Sequence, residues 1–440
     1  MSSRLPNSLF LGVIYIIAFS VSVHGVAQED PLLGLEAAIN AAIAEDDWLQ
    51  VNRQQELAGR EIATASGELP DPRISIGISN LPTDTFSFNQ EAMTQFRVGL
   101  NQMFPPGQTL RLQHLQQIQR SDINPLLRQN RKAMLRAEVT SLWLESFLAE
   151  RTISLINEDR ELFEQLVDIA TARYTSAAAQ ARQQDVVRAE LELIRLEDRL
   201  TQLRQQKDRA KQQLAEWIPY ELLQRPLSLG LPVLRAPTTQ LSSLQQAADL
   251  FMHHPRVKAH DKQIDVANTQ VELTEQSFKP SFSVGASYSY RDYSITGNRR
   301  PDFISLELSF DLPLFTENRQ KPRLRASVNH AEAEKTNRIL IIKELFADYQ
   351  TAKAQLVTLD QRRALFNNSL LSQLSDLTEA TLTSYTADEG DFAEVMRAYI
   401  SELNAKIELL SIDVERLKII SRMNYLLTTS EDENFVGETQ

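Results

Sequence analysis

RISIGIS, residues 73–79, recurs 208 positions later as SFSVGAS, residues 281–287, and a proline directly precedes each copy. In both copies apolar residues alternate with small or polar ones, which is the period of two that a β-strand imposes on its side chains. Identical residues keep the same spacing at four places: Pro72 and Pro280, Gly77 and Gly285, Leu100 and Leu308, and Pro105 and Pro313. Agreement at four places argues against chance, so the chain carries one structural unit twice.

A second alternating segment follows each copy after a polar loop. Four strands are predicted, near 73–83, 94–104, 281–291 and 303–312. Each has one apolar face and one polar or small face, and tyrosines and phenylalanines of the set lie towards strand ends, which is typical of transmembrane barrel strands around a polar lumen. An ordinary half-buried sheet is the alternative for any single strand. Because the smallest outer-membrane barrels need about eight strands, several chains would share one barrel: two chains give eight strands and three give twelve.

Composition excludes several classes of protein. The 440 residues carry a formal net charge of -12 and no cysteine. A negative chain has no basic surplus for binding nucleic acid, and without thiols there is no thiolate metal site or cysteine nucleophile. No phosphate loop or catalytic constellation occurs, so we expect no enzymatic activity, no cofactor and no resident metal. Only 13 glycines are present, and their scarcity favours long helices.

The N-terminus predicts export. Arg4 precedes an apolar run, residues 9–23, and small residues lead to Ala27. We interpret residues 1–27 as a signal peptide cleaved after Ala27; an uncleaved anchor is the alternative, but the run is short for a membrane span. No cysteine follows the predicted cleavage site, so we expect no lipid anchor of the lipoprotein type. No other stretch is apolar for long enough to form a transmembrane helix.

The rest of the chain is typical of long helices. No glycine occurs between Gly107 and Gly230, and no proline between Pro125 and Pro219. Apolar residues recur at alternating spacings of three and four, as coiled-coil seams require. The two seams are Val186, Ala189, Leu193, Leu196, Leu200 and Leu203, and Ile400, Leu403, Ile407, Leu410, Val414 and Leu417. We interpret both as packing surfaces and assign them no chemistry.

The pattern in each half of the chain therefore predicts a helix, two strands and a long helical hairpin. The first repeat spans 28–230, with its hairpin turn near 174–186. The second spans 231–427, with its turn near 385–395, and a polar, acidic tail occupies 428–440.

At the hairpin turns the chain resembles the TolC-like outer-membrane efflux proteins, and the resemblance covers essentially all of the mature chain. Turns in that family have an aromatic residue, a glycine three residues on and an acidic residue six further on, followed by valine and leucine and then alanine. The second turn fits with Tyr385, Glu394, Val395, Met396 and Ala398, although Asp388 occupies the usual glycine position and the glycine is Gly390.

The first turn fits the family pattern less closely. Tyr174, Asp185, Val186, Val187 and Ala189 match only if two residues are inserted after the tyrosine. The junctions at 69–73 and 102–112 resemble those of the heavy-metal branch of the family, but they are weak guides to the substrate.

The resemblance implies a mainly α-helical trimeric channel-tunnel, in which a shared twelve-stranded β-barrel in the outer membrane joins a long α-helical coiled-coil barrel in the periplasm. It implies no enzymatic activity. The implied partners are two further copies of the chain, a periplasmic adaptor protein, an inner-membrane pump and outer-membrane lipid. The implied cargo is a small molecule or a metal ion.

The resemblance also implies roles for residues at the turns. It places the pore constriction at Glu394, Arg397, Asp391 and Asp185, and adaptor docking at Tyr174, Val186, Tyr385, Asp388, Gly390 and Val395. Arg397 stands where the drug-efflux branch often has an acidic residue, so three glutamates beside three arginines could close the pore by ion pairs between subunits. The alternative is an ordinary solvated helix face, since Glu and Arg three residues apart are common neighbours.

His253 and His254 form the remaining candidate site. With Met252 and His260 nearby, a site for copper or silver is conceivable. A polar helix start between the repeats is the alternative that we favour.

Two other functions stay open. One is a tunnel for type I protein secretion, and the other is a periplasmic coiled-coil scaffold or adaptor. Adaptors are usually built around one hairpin with glycine-rich modules, whereas this chain has two hairpins and four barrel-type strands.

Overall fold

A computed structural model describes residues 32–175, 183–239, 241–387 and 389–430. The predicted signal peptide and residues 431–440 of the predicted tail lie outside the described residues. The described part is mainly helical with one small sheet, which confirms the predicted fold class. No helix within these ranges combines the length and the apolar character needed to cross a membrane.

The elements of the first half recur in order in the second. The first half contains α1 (Leu35–Glu45), α2 (Asp47–Ser66), β1 (Arg73–Ser79), β2 (Gln95–Phe104), α3 (Thr109–Ser121), α4 (Ile123–Thr175) and α5 (Gln183–Leu214). After a short α6 (Tyr220–Leu223), the second half contains α7 (Leu244–Phe251), α8 (Pro255–Gln276), β3 (Ser281–Tyr290), β4 (Phe303–Asp311), α9 (Gln320–Leu365), α10 (Leu371–Thr386) and α11 (Phe392–Leu426). A π-helical turn, Phe366–Leu370, joins α9 to α10. The first residues of α2 and α8, of β1 and β3, and of β2 and β4 are each 208 positions apart, so the repeat extends into the helices.

The sheet joins the two repeats. Its strand order is β1-β2-β3-β4, and all neighbours are antiparallel. The repeats meet where β2 pairs with β3, with Gly99 opposite Ser287. Within the described residues, β1 and β4 each keep one edge without a partner strand. The sheet of four strands therefore has two open edges.

One face of the sheet is apolar and exposed, and we name it the apolar sheet face. Its side chains are 38% to 82% exposed: Ile74, Ile76, Ile78, Phe96, Val98, Leu100, Phe282, Val284, Tyr288, Tyr290, Ile304, Leu306, Leu308 and Phe310. The single polar member in the alternation of β2 is Gln102, whose Nε2 donates to the carbonyl oxygen of Pro70 at 2.8 Å. Because that amide is satisfied by backbone, the break does not shift the register of the strand.

The opposite face is polar and small. It carries Ser75, Gly77, Arg97, Gly99, Asn101, Ser283, Gly285, Ser287, Ser305, Glu307 and Ser309. Arg97 Nε donates to Ser287 Oγ at 3.0 Å, and Asn101 Nδ2 lies 3.4 Å from Ser283 Oγ. These bonds cross the junction between the repeats, so polar side chains reinforce the pairing of β2 with β3.

β1 ends at Ser79, four residues before the predicted end. Asn80 has a φ of 57°, which turns the chain out of the strand. Its Nδ2 donates to the carbonyl oxygen of Met93 at 3.1 Å, while Thr94 Oγ1 donates to the carbonyl oxygen of Asn80 at 2.7 Å. The loop between β1 and β2 is therefore closed by side chains.

The helical body has three apolar cores. The first holds Trp143, which stacks on Phe147 with 5.4 Å between ring centroids and donates from Nε1 to the carbonyl oxygen of Leu33 at 3.1 Å. A second core, with Phe251 and Tyr349, lies between α7, α9 and the end of α11. The third occupies the far ends of the hairpins. Burying one large apolar side chain contributes about 1.5 to 3 kcal/mol, so these cores dominate the stability of the helices.

Both predicted seams are confirmed as packing surfaces. Ala189 and Leu200 of the first, and Leu403, Val414 and Leu417 of the second, are buried. The remaining members pack against the same cores: Val186, Leu193, Leu196, Leu203, Ile400, Ile407 and Leu410. With 53 residues, α4 is about 80 Å long at about 1.5 Å per residue.

Candidate functional site: the hairpin tips

The second hairpin turns between α10 and α11. Glu389 N donates to the carbonyl oxygen of Ser384 at 3.0 Å, which tightens the turn. Asp391 has extended backbone, and its Oδ1 accepts from the N–H of Ala393 at 3.0 Å, so Asp391 caps α11. Asp391, which is predicted to lie at the constriction, therefore also stabilises the start of α11. Asp388, predicted for adaptor docking, lies outside the described residues.

Gly390 is needed at this turn because of close backbone approach. A Cβ at this position would lie 2.9 Å from the backbone N of Tyr385 and 3.1 Å from the backbone C of Ser384. Backbone atoms cannot swing away as a flexible side chain can. The glycine that is displaced from the family position is therefore the one that lets α10 and α11 meet.

An aromatic cluster holds the second tip together. The rings of Tyr385 and Phe392 meet edge to face at 5.5 Å, and Val395 is 0% exposed beside them. Tyr385 itself is 7% exposed. The side chains of Tyr385 and Val395, which the resemblance places at the adaptor-docking tip, face the core, since the apolar side of α11 must cover the end of the hairpin.

The same cluster ties the second hairpin to the first. Phe163 of α4 and Tyr399 of α11 meet edge to face with 6.1 Å between ring centroids. On the same two helices, Lys406 Nζ lies 3.7 Å from Asp159 and 3.1 Å from Glu402. Burial raises the pKa of the Asp159 carboxyl, and the charge of Lys406 opposes that rise. A partly desolvated ion pair thus backs the aromatic contact.

Glu394 and Arg397 lie on the exposed side of the first turns of α11. Arg397 Nε donates to the carbonyl oxygen of Ala393 at 3.1 Å. Within the described residues no ion pair joins these two side chains to each other in one chain. Both charged ends therefore project from the tip, where residues of another chain or an ion can reach them.

The first tip is described on both sides of residues 176–182, which lie outside the described ranges. Tyr174 lies in the last turn of α4, with 49% of its side chain exposed. Asp185 lies in the first turn of α5, where its carboxylate interacts favourably with the positive end of the helix dipole. Val186 packs against the core of the tips, and the exposed apolar residue beside it is Val187, at 55%.

His254 is a structural residue, as the helix-start interpretation predicts. It caps α8: Nδ1 accepts from the N–H of Arg256 at 3.1 Å, and Nε2 lies 3.3 Å from the carbonyl oxygen of Tyr425. The neutral tautomer with its hydrogen on Nε2 satisfies both contacts, and burial lowers the pKa of His254 to about 4. In the ranges that the structure describes, no group of three histidine or acidic side chains is placed to hold a metal ion.

Three residues that stabilise the tips were not predicted from the sequence: Phe392, Phe163 and Asp159. Phe392 follows the capping residue Asp391 directly, and an apolar residue at the start of a helix could have suggested a buried turn. The contact of Phe163 with Tyr399 joins residues more than 200 positions apart, and local spacing carries no information about it.

Gly390→Ala is expected to loosen the second tip, since its Cβ would clash with two backbone atoms. Overpacking of this kind costs about 1 to 3 kcal/mol. Hydrogen exchange at residues 383–396 measures the change locally. Gly34→Ala is the matched control, because its Cβ would meet no atom within 4 Å. Equal protection of the tip in Gly390→Ala and the wild type would show that the close approach is not needed.

His254 is expected to make the contact of α8 with the end of α11 acid-sensitive. Because its folded pKa of about 4 lies below the usual value of 6.5, its contribution is complete above pH 6.5 and is lost as the pH falls towards 4. The loss is about 3 kcal/mol for a shift of this size. Hydrogen exchange at the start of α8, followed from pH 7 to pH 4, measures it.

His254→Asn keeps a capping acceptor without the titration, so that variant should lose much less protection in acid. The exposed His330 supplies the control, His330→Asn, which should behave like the wild type. An acid response that His254→Asn leaves unchanged would assign the titration to another group.

The chain is similar to known proteins in structure but not detectably in sequence. No family model and no curated protein sequence matches the chain. Among solved structures, the fold is similar to that of CusC, at 14% identity and a TM-score of 0.73 over 90% of this chain and 92% of that chain. It is similar to the CmeC outer membrane channel of Campylobacter jejuni, at 13% identity and 0.72 over 96% and 94%. It is also similar to the outer membrane protein VceC of Vibrio cholerae, at 14% identity and 0.70 over 90% and 96%. The chain thus has the fold of the TolC-like outer-membrane channels.

Proposed function

We propose that three copies of this chain form the outer-membrane channel of a tripartite efflux system. The twelve strands would close a barrel in the outer membrane, and the hairpins would form a tunnel in the periplasm. A periplasmic adaptor would connect the tunnel to an inner-membrane pump, and the cargo would be a small molecule or a metal ion. The protein would have no enzymatic activity.

The observation that carries this proposal is the sheet. A sheet with an exposed apolar face and two unpartnered edges is stable in lipid only if further strands close it, because lipid offers no hydrogen bonds to the edges. The polar opposite face would line a wet lumen. A periplasmic scaffold would instead hold a large apolar face in water, which argues against the scaffold alternative.

The helical body supports the tunnel. Its hairpins follow the strands in the chain at the end of the sheet where the helices attach, and α4 is about 80 Å long. Three copies would therefore enclose a long passage in line with the barrel. On the two helices that carry the coiled-coil seams, the charged residues lie on the side opposite the cores, as expected for helices in a water-filled periplasm.

The tips would form the closed end. Glu394 and Arg397 project from α11 with no ion pair between them within one chain's described residues, so ion pairs between subunits would close the ring. Asp391 and Asp185 would add negative charge at the constriction. The proposed docking positions for the adaptor are Tyr174, Val186, Tyr385, Asp388, Gly390 and Val395. The side chains of Tyr385 and Val395 would support the tip from its core.

The purified protein, reconstituted in planar bilayers, is expected to give small discrete conductance steps. Conductance should rise in Glu394→Ala and in Arg397→Ala, because removing either charge removes the proposed pairs. Glu379→Ala, an exposed acidic residue of α10 without an ion pair in the described chain, is the matched control and should leave conductance unchanged. No rise in either tip variant would refute the gate, and a protein that stays soluble as a monomer would refute the channel.

Leu306→Lys is expected to reduce insertion strongly. Leu306 lies at the middle of β4 on the apolar sheet face and is 82% exposed. A lysine facing the bilayer midplane costs about 2 to 4 kcal/mol. The yield of protein folded into lipid vesicles measures the effect. Ser305→Lys, one residue away on the polar face, is the control and should insert normally. Equal yields from the two variants would show that the face does not meet lipid.

A further inference from the structure

One charged side chain lies on the polar face of the sheet at the end where the loops join the strands. Arg97 is the third residue of β2, and its side chain is exposed. Its Nε donates to Ser287 Oγ at 3.0 Å. Within the described residues its two Nη atoms have no hydrogen-bond partner, and the guanidinium forms no ion pair. Two donors and a full positive charge are therefore available to a ligand.

The repeat shows that strand pairing does not need a charge at this position. The residue 208 positions after Arg97 is Ser305, at the equivalent place on β4. Arg97 does bond to Ser287 across the junction between the repeats, but Asn101 makes a similar contact with Ser283 without a charge. A ligand explains the guanidinium on this face of serines and glycines better than strand pairing does.

A second guanidinium group lies in the same row of the sheet. Arg97 is opposite Ser289 of β3, and Ser289 is opposite Phe303 of β4. The guanidinium carbon of Arg291 lies 3.9 Å from the centre of the Phe303 ring, and Arg291 Nε donates to the carbonyl oxygen of Pro301 at 2.7 Å. Because adjacent strands are about 4.8 Å apart, the backbones of Arg97 and Phe303 are about 10 Å apart along the row. Stacking on the ring holds the second guanidinium in a fixed orientation.

The carboxylates next to this stack in the chain are engaged elsewhere. Asp302 Oδ2 accepts from the hydroxyl of Tyr288, a residue of the apolar sheet face, at 2.6 Å, and Asp302 Oδ1 accepts from the backbone N–H of Arg291 at 2.9 Å. Asp292 Oδ1 accepts from the backbone N–H of Tyr293 at 2.8 Å. In the part of the chain that the structure describes, neither carboxylate forms an ion pair. Salt bridges thus leave both guanidinium groups free.

The remaining charges of the two loops balance each other. Asp84 and Glu91 lie between β1 and β2, while Arg299 and Arg300 lie between β3 and β4. Arg300 Nη1 donates to the carbonyl oxygen of Glu91 at 2.7 Å and so connects the two loops. The charges that distinguish the lining at this end are therefore those of Arg97 and Arg291.

We propose that Arg97 and Arg291 make the loop end of the lumen a binding site for small anions, and that the cargo of the channel carries carboxylate groups. The inference rests on the proposed ring of three copies, in which the loop end is the outer mouth and each copy supplies two guanidinium groups. A guanidinium binds a carboxylate through two parallel hydrogen bonds, and rings of charged side chains select ions in pores. Because such a mouth repels metal cations, the site favours an anionic small molecule as cargo.

Ion selectivity of the reconstituted channel tests the site. In a potassium chloride gradient, reversal potentials should give Arg97→Gln/Arg291→Gln a chloride-to-potassium permeability ratio several-fold below that of the wild type. A unit charge about 10 Å away in water changes the local concentration of a counter-ion about twofold, and several charges are lost together. Ser305→Arg adds a guanidinium at the equivalent position of β4 and should raise the ratio. Ser305→Gln is the matched control and should leave it unchanged.

Binding of citrate, a tricarboxylate, tests the same site without conductance. In equilibrium dialysis, the full chain folded in detergent micelles should retain radiolabelled citrate, and Arg97→Gln/Arg291→Gln should lose most of that binding. Ser305→Gln should bind citrate as the wild type does, because it keeps both guanidinium groups.

The outcomes separate this site from the proposed function. An unchanged permeability ratio and unchanged citrate binding in the double variant would overturn the anion site and leave the channel standing. A changed ratio without citrate binding would overturn the carboxylate cargo. Citrate binding that depends on the two arginines, in a protein without conductance, would support the site and refute the channel. Absence of both conductance and citrate binding in the wild type would overturn both.

Discussion

Unsatisfied hydrogen bonds at the two edges of a small sheet are the constraint on which the rest of the molecule depends. A strand edge presents rows of N–H and C=O groups, and each one left unpaired in lipid costs several kcal/mol. Here both edges are open in the single chain, while one whole face is apolar. Because the four strands alternate in direction, β4 of one copy and β1 of the next would also be antiparallel, so added copies continue the sheet without a change of pattern. The loops at one end and the helices at the other then follow from strand direction alone.

The helices are stabilised mainly by apolar cores, and the ion pairs on their surfaces add little. Asp360, Arg362 and Arg363 of α9 each pair with a charged residue of α11, but exposed pairs of this kind contribute about 0 to 1 kcal/mol. The core at the tips, like the core around Trp143, combines residues of both hairpins. Residues proposed for the gate thus stand on a core shared by the two hairpins, and a movement of one hairpin must disturb the contact between Phe163 and Tyr399.

Periodicity explains how much could be predicted from the sequence. Strand faces and helical seams have fixed spacings, and these were predicted at the level of single residues. Contacts between distant segments carry no such spacing, and for that reason the burial of Tyr385 and Val395 in a core shared by both hairpins was not predicted. The break between α3 and α4 has a local cause, since Pro125 lies in the first turn of α4 and cannot continue the hydrogen bonding of a preceding helix. The second repeat has no proline after Pro322, and α9 accordingly runs on to Leu365.

The π-helical turn at Phe366–Leu370 makes the two hairpins unequal. α4 runs through the matching part of the first hairpin without such a turn, and one added residue rotates all that follows by about 100° around the helix axis. In a ring of three chains, six hairpins would then alternate between two kinds. A protein that recognises the general surface of a coiled coil could bind six times around such a ring, whereas one that distinguishes the two kinds could bind only three times. The π-helical turn is one feature by which such a protein could distinguish the two kinds of hairpin.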